Sequence, residues 1–82
     1  MVTINTTYLG DLRTESEHAP SGTTLRTDAP VDNHGRGEFF SPTDLVATSL
    51  GSCMLTIMGI LAERHEWDLR GARAEVEKVM ST

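Results

Sequence analysis

Residues 2–9 (VTINTTYL) alternate β-branched and aromatic side chains with polar ones, the period-two pattern of a strand. Gly10-Asp11 signals a turn, and residues 12–18 (LRTESEH) follow as a polar strand able to fold back on the first. A second turn at Ala19-Pro20-Ser21-Gly22 leads to a third short strand at residues 23–27 (TTLRT). Together these predict a three-stranded antiparallel meander with one polar face. The loop over residues 28–38 is punctuated by Pro30, Asn33, Gly35 and Gly37, and loops of such length are often functional.

The pattern then changes from period two to a helix. Ser41-Pro42-Thr43-Asp44 reads as a capping box, with Ser41 as N-cap, Pro42 in the first helical position and Asp44 in the third. The helix is predicted to run to about Glu66, a length of about 36 Å. No charged residue occurs from Leu45 to Ala62, so the helix is apolar or small on every side and is expected to be buried at the centre of the fold. Its small residues, Ala47, Gly51, Ser52 and Gly59, permit close approach by another element. Asp68-Leu69-Arg70-Gly71 breaks the pattern. Residues 72–80 (ARAEVEKVM) again alternate, with Ala72, Ala74, Val76 and Lys78 on one side, and predict a further strand. The fold class is α+β.

Length and charge narrow the possibilities. Eighty-two residues make a single domain, residues 1–82, with a core too small to be stable without self-association or further chain. One cysteine excludes an internal disulfide, and the three histidines show no ligand spacing, so neither a metal nor a cofactor is expected. A net charge of −5 argues against nucleic acid or an anionic membrane as partner. The uncharged run of 18 residues is near the lower limit for a bilayer span and carries Thr48, Ser49, Ser52 and Thr56, so a soluble protein is the reading. With a free thiol and no basic, apolar leader after Met1, a cytoplasmic location is expected.

The sole cysteine, Cys53, sits midway along the uncharged helix. A thiol in apolar surroundings stays protonated and inert unless a cation reaches it. The helix dipole cannot serve, because Cys53 lies about 18 Å from the N-cap and the effect fades within a turn. A cation must come from another segment, and Arg13, Arg26 and Arg36 are the candidates; the residues alone do not single one out.

The run GRGEFFSPTDLVATSLGSC, from Gly35 to Cys53, resembles the OsmC/Ohr family of thiol-dependent peroxidases, most closely its OsmC-like branch. That resemblance implies an intertwined homodimer with long central helices wrapped by sheets. It implies reduction of organic hydroperoxides in oxidative stress defence, with Cys53 as peroxidatic nucleophile and a dithiol as reductant. It also implies an arginine from the N-terminal β-region, which falls on Arg13, with Arg36 as the alternative. The family's arginine-holding glutamate falls on Thr43, with Asp44 one place later. No second cysteine is present to resolve a sulfenic acid, and the chain corresponds to the N-terminal portion of the family domain. The missing resolving cysteine and the missing glutamate at residue 43 both favour the alternative function, a non-catalytic module that dimerises or binds a small apolar ligand, with Cys53 as a packing residue.

Overall fold

The computed structural model describes residues 1–81. The chain divides into two compact units, Met1–Pro42 and Thr43–Thr82.

The first unit is the antiparallel meander. Strands β1 (Ile4–Gly10), β2 (Arg13–His18) and β3 (Thr24–Asp28) lie in sequence order in one sheet. The β1–β2 connection places Asp11 and Leu12 at positive φ, 53° and 62°, the pattern of a tight hairpin turn whose twist matches the strands. Leucine is an unusual occupant of that conformation, since its Cβ crowds the following carbonyl. The register shifts between Tyr8 and Gly10, so Leu9 is a bulge beside that turn. Opposed residues share a face. One face carries Thr7, Glu15 and Arg26, with an Arg26–Glu15 ion pair at 3.2 Å. The other carries Ile4, Tyr8 and Leu25 among hydroxyls, and those three apolar side chains are exposed. After β3 a single 3₁₀ turn, Val31–Asn33, occupies the predicted loop.

The second unit is built on α1 (Pro42–Arg64), which starts at the predicted proline and runs for 23 residues. It ends two residues earlier than the pattern suggests. Trp67 N–H donates to the Ala62 carbonyl at 2.8 Å and Glu66 N–H to that of Glu63 at 3.2 Å, with Glu66 at φ 59°. This is a Schellman closure with glutamate in the position glycine usually takes.

The helix is not buried as its composition predicts. Cys53 is exposed, and Val46, Leu50, Met54, Ile57 and Ile60 each keep half or more of their surface. An all-round apolar helix is buried only where something covers it. Within its own unit the close approach is at Gly51, where an added Cβ would stand 3.1 Å from Val76 and 3.7 Å from Ala74. Among the described residues only Ala62 is a buried apolar side chain. By length and composition α1 could also cross a membrane.

The further strand predicted at residues 72–80 is likewise absent: its described residues join no ladder. The alternation itself is real. Ala74 and Val76 lie against Gly51, and Lys78 reaches Asp44 and Thr43 near the start of the helix. Three alternate positions thus face α1, as in an extended chain. A strand also needs a neighbour with free backbone groups, and a helix offers none.

Candidate functional site

Arg13 opens β2, where the register sets it directly opposite Asp28 at the end of β3. Asp28 is fully buried, and its Oδ2 lies 3.5 Å from Arg13 Nη2. The same Oδ2 accepts the Glu38 N–H at 3.1 Å, which ties the Gly-rich loop to the strand. Glu38 turns its own carboxylate back onto Arg13 Nη2. Phe39 completes the grip, with the guanidinium carbon 5.2 Å from its ring centroid, a cation–π contact. Backbone bonds hold the frame: Asp28 N–H donates to Phe40 O at 3.1 Å and Ala29 N–H to Leu12 O at 3.2 Å. The loop returns this closely only because residue 35 is glycine; a Cβ there would fall 1.7 Å from the Ala29 carbonyl oxygen.

Two carboxylates therefore surround one guanidinium, and both contacts fall on the same nitrogen. The Nε–H of Arg13 and Oδ1 of Asp28 are buried without a hydrogen-bond partner among the described residues. Buried polar atoms without a partner are uncommon, and each costs free energy. Arg36, the alternative cation, stands exposed in the same loop.

Cys53 belongs to the second unit. Its surroundings on α1 are apolar, and the nearby hydroxyls are turned inward: Thr48 donates to Asp44 O, Ser49 to Val46 O and Thr56 to Ser52 O. These back-bonds leave the surface around the thiol more apolar than the sequence suggests. At the start of the helix, Asp44 pairs with Lys78 at 2.7 Å, and Lys78 also donates to Thr43 Oγ1 at 3.0 Å. An open depression of about 500 Å³ at the far end of α1 is lined by Glu63, Glu66 and Asp68, and its lining includes no thiol.

Asp28 and Glu38 are the residues that sequence reasoning missed. A signal for the first was present. Reflecting the chain about the turn Ala19–Gly22 pairs Arg13 with Asp28 and Glu15 with Arg26, two opposite-charge pairs across one hairpin. Glu38 left no such trace, since a loop has no period from which its return can be read.

Comparison with known proteins adds family evidence. Residues 35–82 match the family described as OsmC-like protein. No curated protein matches the chain. The crystal structure at 2.15 Å of a protein from Psychrobacter arcticus 273-4, named for osmotic stress induction and a detoxification response, is similar with a TM-score of 0.94 and 60% identity. The similarity covers 99% of this chain and 59% of that one, so the chain spans about three-fifths of its solved relative.

Proposed function

The chain belongs to the OsmC-like protein family, and on that premise we propose that it is a thiol-dependent peroxidase reducing organic hydroperoxides. Cys53 is the nucleophile in this reading, and Arg13 is the cation that steadies its thiolate. The observation that carries the reading is the setting of the thiol. The sole cysteine stands exposed on a helix surface of Met54, Ile57 and other apolar side chains, with the neighbouring hydroxyls bonded to backbone. An alkyl hydroperoxide needs an apolar surface for its tail beside a thiol for its O–O bond.

The thiolate attacks the terminal peroxide oxygen. An S–O bond forms as the O–O bond breaks, and the alkoxide leaves with the electron pair and takes a proton to become the alcohol. Cys53 is left as a sulfenic acid, oxidised by two electrons. A dithiol reductant then attacks the sulfur, releasing water and forming a mixed disulfide; its second thiol closes its own disulfide and frees Cys53. The cycle as written needs neither metal nor cofactor.

A second copy of the chain is the partner this reading assigns to the uncovered surfaces. Both an apolar helix and a sheet face bearing Ile4, Tyr8 and Leu25 stand open, and two copies can cover each other's surfaces where lipid would suit the helix alone. A reducing cytoplasm is the compartment in which such a thiol persists.

The test is a coupled assay with tert-butyl hydroperoxide and dithiothreitol. Wild-type protein should turn over the peroxide and Cys53→Ser should lose the activity. Equal rates in the two proteins, or a folded wild type with no activity, would leave the chain a dimerising or apolar-ligand module with Cys53 as a packing residue.

A further inference from the structure

We infer that Asp28, assisted by Glu38, is the positioning residue that fixes how Arg13 presents its guanidinium; this rests on the reading of Arg13 as the cation for the Cys53 thiolate. An arginine side chain has four rotatable bonds, and a cation steadies a thiolate only if it is held in one orientation. The cluster supplies that constraint from three directions. Asp28 grips Nη2 from the neighbouring strand, Glu38 grips the same nitrogen from the loop, and Phe39 lies against the guanidinium at cation–π distance. Asp28 anchors the arrangement, because it is fully buried and also holds the Glu38 backbone N–H at 3.1 Å. Both carboxylates hold the same nitrogen, Nη2, so the guanidinium is fixed at one corner while the Arg13 side chain keeps part of its surface open. Within the first unit, Arg13 is thus held from the end of β3 and from the Gly-rich loop.

The sign of one effect separates positioning from plain electrostatics. Removing a negative charge beside Arg13 would by itself favour a nearby thiolate, whereas losing the aim of Arg13 would disfavour it. The experiment is the pH profile of Cys53 alkylation by iodoacetamide in wild type, Arg13→Met, Asp28→Asn and Glu38→Gln, with folding checked by circular dichroism. Arg13→Met should raise the profile midpoint by about one unit, a tenfold slower reaction at pH below the midpoint. No change in Arg13→Met would overturn the cation reading itself. Given that shift, Asp28→Asn should raise the midpoint by about half a unit, a threefold slowing. A midpoint that falls or stays put in Asp28→Asn would overturn the positioning role. Should Asp28→Asn not fold, Glu38→Gln decides: it removes charge from a half-exposed loop residue, a rise supports the inference, and a fall or no change overturns it.

Discussion

In the first unit a guanidinium is held by groups that one hairpin and one loop bring to it, while in the second the only thiol lies open on an apolar helix. Composition alone suggests the reverse, with the charge outside and the uncharged helix inside. The difference teaches that enclosure follows from available partners rather than from polarity. Arg13 finds opposite charge across a strand register and in a loop that ends 25 residues later. The helix needs a whole surface, whereas its own unit brings Ala74 and Val76 to Gly51 and Lys78 to its first turn.

The frame around Arg13 is most sensitive at Gly35. Alanine there must displace the Ala29 backbone, so Gly35→Ala should cost about 3 kcal/mol or more in a urea melt. Because that frame is closed within one chain, the loss should be the same at every protein concentration. A concentration-dependent loss would mean that the loop, too, is completed by another copy.

The elements that were legible in the sequence are those whose signal is local. Turn residues at Gly10-Asp11 and Ala19–Gly22 placed the three strands to within two residues, and Ser41-Pro42 placed the start of α1. Exposure was not legible, because an uncharged helix looks alike whether its cover lies in its own chain or in another. Residues 72–80 kept the alternation of a strand but lacked a ladder partner, a non-local condition. Cys53 and Arg13 stood out through family likeness, whereas Asp28 depended on reading charge across a hairpin.

A smaller effect is expected on the open helix, at Gly59. Nothing lies within 4 Å of a Cβ added at Gly59. On an open helix Gly59→Ala should therefore gain about 1 kcal/mol from helix propensity. If a second copy packs on that face, as proposed, the added methyl should instead weaken self-association, by about fivefold in sedimentation equilibrium for a cost of about 1 kcal/mol. A variant that melts higher at all concentrations would show the face to be uncovered.

The most direct measurement for the central claim is the intact mass of the protein after one equivalent of cumene hydroperoxide, with dimedone present to trap a sulfenic acid. One dimedone adduct on Cys53 is expected, absent without peroxide, together with one equivalent of cumyl alcohol. An unmodified Cys53 beside unreduced hydroperoxide, in protein shown to be folded, would contradict the claim.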